Sequence, residues 1–180
     1  MMANKVLALV GMCGAGKSVV TDYFTEKGYS CVYFGKCTME EMQKRDLEIN
    51  EENEKKVREE LRKQYGMGVY AVLNLPKIEE ALTLGNVIID GLYSWSEYKV
   101  LHEKFGGNLV VLSVFTPRKM RYERLSIRGF RALTPEEAKK RDYSEIENLE
   151  KGGPIAIADY TVVNDGDREY LNEQLGKILI

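Results

Sequence analysis

Histidine is almost missing from this chain: His102 is the only one in 180 residues. A Ser-His-Asp relay would have to use it, yet no nucleophile or acid is patterned around it, so it reads as a helix-surface residue. Cysteine is nearly as scarce. Cys13, Cys31 and Cys37 are an odd number without CxxC spacing, which reads as free thiols in a reducing, cytoplasmic compartment. No apolar run approaches the ~20 residues of a membrane span, and the N-terminal one is too short for a signal peptide. Net charge is only −2, so no bulk field draws nucleic acid or an anionic membrane. Repeats and low-complexity tracts are absent as well. What remains is 44% hydrophobic and 30% charged. That balance suits one globular domain over residues 1–180, able to bury about 70% of its unfolded surface.

The strongest positive signal is Gly11-Met12-Cys13-Gly14-Ala15-Gly16-Lys17-Ser18, which fits G-x-x-x-x-G-K-S. Before it, Val6 to Val10 is an almost wholly apolar run, as expected of a strand buried on both faces. After it, Val19, Val20, Tyr23 and Phe24 recur at helical spacing. Strand, glycine loop and helix start aim successive backbone N–H groups at one point, where the helix dipole also favours an anion. Gly11, Cys13, Gly14, Ala15, Gly16 and Val19 therefore form the cradle of a nucleoside triphosphate. Lys17 reaches its β- and γ-phosphates and the Ser18 hydroxyl ligates Mg²⁺. ATP and Mg²⁺ are the expected cofactors.

Further along, a helix over Lys17–Lys27 should stop at Gly28, and Cys31–Phe34 reads as a strand. Met39 to Tyr65 is polar and helical throughout, with a thin apolar stripe of Val57, Leu61 and Tyr65. A helix over Val69–Leu84 should kink or restart at Pro76. Asn86 to Gly91 is a buried strand ending in Asp90, where a carboxylate can orient Mg²⁺ through its water shell; a capping acid is the plainer alternative. Ser94 and Glu97 form a capping box for a helix reaching Phe105. Leu109–Phe115 is a fourth strand, Tyr160–Val163 a fifth, and a last helix runs from about Asp167 to Ile178. Strands alternating with helices imply an α/β fold with a mainly parallel sheet and the P-loop strand at its centre.

After the fourth strand come Arg118, Lys119, Arg121, Arg124, Arg128 and Arg131. Arg124 and Arg128, four apart, should share a helical face. Phosphoryl transfer needs cations around the oxygens where charge spreads. The segment 129–153 contains a helix start at Thr134-Pro135-Glu136-Glu137, and reads as a lid that excludes water and carries Arg141 inward. The alternatives are a solvated basic helix, preferred for Arg118 and Lys119, and a nucleic-acid patch, which the acidic lid and missing aromatics disfavour. Trp95 and Tyr98 read as packing rather than base-stacking residues.

With these pieces in order, GMCGAGKS, the IIDG strand end, RxxxR at 124 and 128, and the run Ala158 to Gly166, the chain resembles the P-loop nucleotide kinases. It is most similar to the adenylate-kinase-related and dephospho-CoA-kinase-like group. The resemblance implies a three-layer P-loop NTPase fold whose five-stranded parallel sheet has order 2-3-1-4-5, with a helical acceptor-binding insert at 38–84 and the lid. It implies that Arg124 stacks on the donor adenine, that Arg128 and Arg141 bind phosphates, and that Asn164, Asp165 and Gly166 line the adenine pocket. The implied activity moves the γ-phosphoryl of ATP·Mg²⁺ to a nucleoside monophosphate or similar small phosphorylated acceptor. The catalytic set is then Lys17, Asp90, Arg128 and Arg141.

Two departures bear on the acceptor. Adenylate kinases usually follow Asp-Gly with Pro-Arg; here Leu92-Tyr93-Ser94 follows Asp90-Gly91. Arg45, Arg58 or Arg62 must then grip the acceptor, alongside Gly91 and Tyr93. Dephospho-CoA kinases usually carry an Asp after the second strand, where this chain reads Gly35-Lys36-Cys37, which tilts the acceptor toward an anion. Three other readings stay open: hydroxyl phosphorylation as in dephospho-CoA kinases, a nucleotide-sensing or slow ATPase module, and a nucleic-acid-dependent P-loop activity.

Overall fold

In the computed structural model, which describes residues 4–129 and 132–178, all five strands run parallel. In chain order the elements are β1 (Val6–Val10), α1 (Lys17–Glu26), β2 (Ser30–Tyr33), α2 (Lys36–Lys44), α3 (Glu51–Tyr65), α4 (Val69–Leu82) and β3 (Val87–Asp90). There follow α5 (Trp95–Phe105), β4 (Leu109–Phe115), α6 (Arg118–Ser126), α7 (Pro135–Glu147), α8 (Gly152–Ala156), β5 (Tyr160–Val163) and α9 (Arg168–Gly176). The sheet order is β2-β3-β1-β4-β5, the order the family resemblance implies.

β1 is central because nothing in it can face water: all five residues are fully buried. The strand's period of two divides them between two cores. Val6, Ala8 and Val10 pack with Tyr70 and Ile78 of α4, Leu101 of α5 and Met42 of α2. Leu7 and Leu9 pack with Val20 and Phe24 of α1 and with Leu171 and Leu175 of α9. Helices thus cover both faces, as an all-parallel sheet requires. In register, Leu9 and Tyr33 both pair with Asp90, so the β3 carboxylate emerges beside the end of the P-loop strand. Among the described residues, no helix is long and apolar enough to cross a membrane.

Three local expectations are corrected. The stretch from Met39 to Tyr65 is two helices, not one. Its charged residues favour helix throughout, but Asp46 takes a left-handed conformation (φ 54°) and Asn50 caps α3 by accepting the Asn53 N–H at 2.9 Å. Of the apolar stripe, Val57 and Leu61 are buried while Tyr65 is exposed. α4 runs through Pro76 as one helix, so it does not restart there; Val72, whose carbonyl lacks the usual donor four residues on because proline has no N–H, is exposed so that water can take its place. Finally, α6 ends at Ser126 with Ile127 as its cap, so Arg128 lies past the helix and the expected common face with Arg124 does not form. Arg131, counted in the same basic run, falls outside the described residues.

The α5 capping box is present and buried. The Ser94 hydroxyl accepts the Glu97 N–H at 3.1 Å, and Glu97 Oε2 accepts the N–H groups of Tyr93 and Ser94 at 2.7 and 3.1 Å. Burial pushes the Glu97 carboxyl up to about 7 from 4.5, against the pull of those N–H donors. The folded state therefore holds this proton more tightly than the unfolded one. Its stabilising contribution is complete below pH ~4.5 and is lost as pH rises to about 7. Urea titrations should find wild type losing roughly 2–3 kcal/mol relative to Glu97→Gln between pH 4.5 and 8. A constant difference across that range would show the group is not buried in this way.

Candidate functional site

The P-loop leaves β1 at Gly11 and enters α1 at Lys17. Gly16 is left-handed (φ 85°), and a Cβ there would lie 2.2 Å from Asn164 Nδ2, so only glycine fits the turn. The loop is held from the ends of β4 and β5. Ala15 O accepts Asn164 Nδ2–H at 2.9 Å, and the Thr116 hydroxyl lies 3.0 Å from both Ala15 O and Asn164 O. Arg124 donates through Nη2 to Asn164 O at 3.1 Å. These contacts fix the loop's outer curve from the two neighbouring strand ends, and within the loop the Ala15 N–H donates to Met12 O at 3.1 Å.

The Lys17 ammonium folds back onto the loop, donating to Gly11 O at 2.8 Å. Burial, with Lys151 nearby as the second cause, lowers its pKa from 10.5 to about 8, although Glu145 and Asp90 oppose the shift. α7 closes over the loop. Arg121 of α6 forms a two-pronged pair with Asp142 of α7 at 2.7 Å for each bond, and its Nη1 also donates to Cys13 O at 3.0 Å. One turn on, Glu145 Oε2 accepts the Cys13 N–H at 3.1 Å and pairs with Lys151 Nζ at 2.8 Å, while Oε1 takes Arg141 Nε at 3.2 Å. Burial alone would raise the Glu145 carboxyl; Lys151, Arg141 and Lys17 outweigh it and hold the group below its ordinary value.

On the other side of the loop, burial raises the Asp90 carboxyl and the charge of Lys17 partly offsets that. The turn after it is left-handed at Gly91 (φ 111°), where a Cβ would meet the Tyr93 ring at 2.6 Å. Leu92 N–H donates to Leu9 O at 3.1 Å, tying this turn beneath the P-loop strand. Burial pushes the Tyr93 hydroxyl well up, and Lys151 Nζ stands 5.5 Å from the Tyr93 ring centre. Ser18 is exposed on the first turn of α1. Hydroxyl, carboxylate and the oxygens of a bound polyphosphate make a hard oxygen set, so Ser18 and Asp90 fit Mg²⁺.

The remaining sequence candidates are distributed around this centre. Val19 is half-buried on α1; Asp165 and Gly166 sit on the exposed turn after Asn164; Arg128 is exposed beyond α6. The Arg141 side chain is 41% exposed, and the group α7 turns onto the loop is Glu145, 4% exposed. Arg45 is engaged by Glu41 and Glu60, and Arg58 by Glu54 at 3.2 Å. Arg62 differs: its guanidinium lies 5.1 Å from the Tyr70 ring centre and its charge is felt at buried Glu97. Trp95 and Tyr98 stack on each other at 4.9 Å, with Trp95 against Gly153. His102 is exposed.

Five residues at the site were not singled out from the sequence for it: Thr116, Arg121, Asp142, Glu145 and Lys151. The i,i+4 spacing of Arg141 and Glu145 is the ordinary spacing of a helix-surface ion pair and gives no hint that Glu145 is buried on the loop. Lys151, 2% exposed at its side chain, carries no sequence signal at all. A cavity of about 610 Å³ lined by Lys5, His102, Asp159 and Tyr160 opens at the N-terminal strand ends, away from the loop.

A family described as AAA domain matches residues 7–150. A UPF0200 protein of Thermococcus kodakarensis is 36% identical over 179 residues, covering 97% of this chain and 96% of its own. Among solved structures, a shikimate kinase from Bacteroides thetaiotaomicron superimposes with a TM-score of 0.60 at 14% identity, covering 96% of this chain and 95% of that one. TT1252 from Thermus thermophilus does so at 0.59 and 20%, covering 97% and 96%. At those identities the two structures establish a common P-loop kinase-like fold.

Proposed function

The chain belongs to the AAA domain family and to the UPF0200 proteins, P-loop proteins of kinase-like fold, and on that footing we propose that it is an ATP-dependent phosphotransferase. It moves the γ-phosphoryl of ATP·Mg²⁺ to a nucleoside monophosphate or similar small phosphorylated acceptor. The observation that carries this reading is the meeting of P-loop amides, the Lys17 ammonium and the Asp90 carboxylate at the C-terminal ends of β1 and β3. Ligands of open parallel sheets bind at such strand ends, where the order reverses.

In this proposal Lys17 draws charge from the β- and γ-phosphates. Ser18, with Asp90 acting through water, holds Mg²⁺, which neutralises phosphate charge when bound. Arg124 with Asn164, Asp165 and Gly166 receives the adenine, and Arg128 and Arg141 reach the phosphates when 129–153 acts as a lid. The acceptor lies between the insert 38–84 and the Asp90–Gly91 turn. Arg62 and Tyr93 are its nearest contacts there, while Arg45 and Arg58 steer from the insert surface. An acceptor that is itself anionic needs no general base, which accords with Lys36 standing where a hydroxyl kinase carries an acid.

The test is ADP release from Mg²⁺-ATP with a panel of monophosphates, nucleosides, dephospho-CoA and shikimate. One monophosphate should accelerate release at least tenfold over background. Acceleration by a hydroxyl compound alone would replace the acceptor assignment, and acceptor-independent hydrolysis would make the protein an ATPase module instead.

A further inference from the structure

The phosphate-binding loop already carries an anion of the protein's own. Glu145 Oε2 accepts the N–H of Cys13, the third residue of the loop, at 3.1 Å, and receives Lys151 Nζ at 2.8 Å within the field of Lys17. One backbone N–H and one ammonium at a single oxygen, with the charge of a second ammonium, Lys17, felt from farther off, are what a phosphate oxygen requires there. Resting on the reading of this loop as a triphosphate site, we propose that Glu145 stands in for the terminal phosphate, so that a triphosphate must displace it and a diphosphate need not. The carboxylate then sets the selectivity of the loop between ATP and ADP, and its departure hands Lys151 to the incoming phosphate.

Stability alone does not account for the pair. Both side chains are nearly inaccessible, 2% for Lys151 and 4% for Glu145, and buried ion pairs are commonly neutral or worse than apolar groups of the same volume. α7 is in any case held to α6 by Arg121 and Asp142, independently of Glu145. The local backbone also suits an exchange. Lys151 N–H donates to Glu145 O at 3.1 Å, so the lysine is anchored through the main chain and stays when the carboxylate turns away. The carboxylate also has a way out, because its Oε1 already faces the partly exposed Arg141 side chain rather than the loop. A terminal phosphate carries up to two charges against the carboxylate's one, so two ammonium groups favour the phosphate in that exchange. ADP has no phosphate to place there, and leaves Glu145 on Cys13.

The experiment is calorimetric titration of the full chain with Mg²⁺-ATP and Mg²⁺-ADP, comparing wild type with Glu145→Gln and Glu145→Asp. Glutamine removes the charge; aspartate keeps it beside Lys151 but is too short to reach the Cys13 N–H. Both variants should bind ATP more tightly, about fivefold to tenfold for glutamine and less for aspartate, while ADP affinity changes by under twofold. The aspartate variant keeps the test open if glutamine leaves Lys151 too poorly paired to fold. Equal shifts for the two nucleotides, or no gain for ATP, would assign Glu145 a structural role and overturn the inference while leaving the loop a nucleotide site. Absence of binding by wild type to either nucleotide would instead overturn the functional reading beneath it.

Discussion

Replacing Lys17 with alanine should lower acceptor-dependent ADP release by roughly 10²–10³-fold, the usual effect of deleting one well-placed charge-stabilising group. It should do so without weakening the fold. Lys17 is held with its pKa lowered to about 8, chiefly by burial and then by Lys151, so the charged form is harder to accommodate folded than unfolded. Between pH 8 and 10.5 the unfolded chain binds more protons, so stability rises with pH through that window, and at pH 7 the penalty is fully present. The alanine variant is therefore expected to melt at the wild-type temperature or above it. The same pKa gives a kinetic signature. In wild type, kcat/KM should fall about tenfold per pH unit above pH ~8 as the free enzyme loses the ammonium. Lys17→Arg stays charged and should lack that limb even if its rate is low. A limb that persists in the arginine variant would assign the titration to another group, and unchanged turnover in the alanine variant would remove Lys17 from the reaction.

The second large effect belongs to Arg121. Its side chain is 7% exposed and that of Asp142 9%, and their two parallel bonds join α6 to α7 while Nη1 also holds the P-loop through Cys13 O. Arg121→Ala leaves Asp142 buried with only the Tyr122 hydroxyl, 3.1 Å away, as a named partner. Orphaning one member of such a pair costs about 3–5 kcal/mol. For a chain of this size that corresponds to a fall in Tm of roughly 6–20 °C. The double variant Arg121→Met with Asp142→Leu removes both charges and should recover most of the loss, because the penalty comes from the stranded carboxylate more than from the lost bond. Thermal melts of the two variants decide this. A single variant within about 1 kcal/mol of wild type would mean that water reaches Asp142 and that α7 is not fastened here.

These two residues also mark what a sequence discloses. Lys17 was legible because the P-loop is a local device: a buried strand, glycines where the backbone turns left-handed, then a helix start, all within fourteen residues. Asp90 was legible for a related reason, as an acid closing an apolar run. The sheet order came through likeness to a family; hydrophobic periodicity finds strands but not their neighbours. Arg121 and Asp142 are 21 residues apart on two polar helices, and each reads singly as solvated. Glu145 and Lys151 were hidden by the same rule, since charged residues are rarely buried unless paired, and the pairing exists only in three dimensions. The break after α2 was missed because Glu, Lys and Arg favour helix on both sides of it. The left-handed Asp46 and the Asn50 cap determine the boundary there, against propensity.

The central claim is that the amides of residues 11–18 and the Lys17 ammonium grip a polyphosphate. Titrating the wild-type chain with ATP in the presence and absence of Mg²⁺ tests it most directly. One site per chain is expected, tightened by the metal and lost in Lys17→Ala. Failure to take up either ATP or GTP, or uptake unaffected by the alanine substitution, would contradict the account.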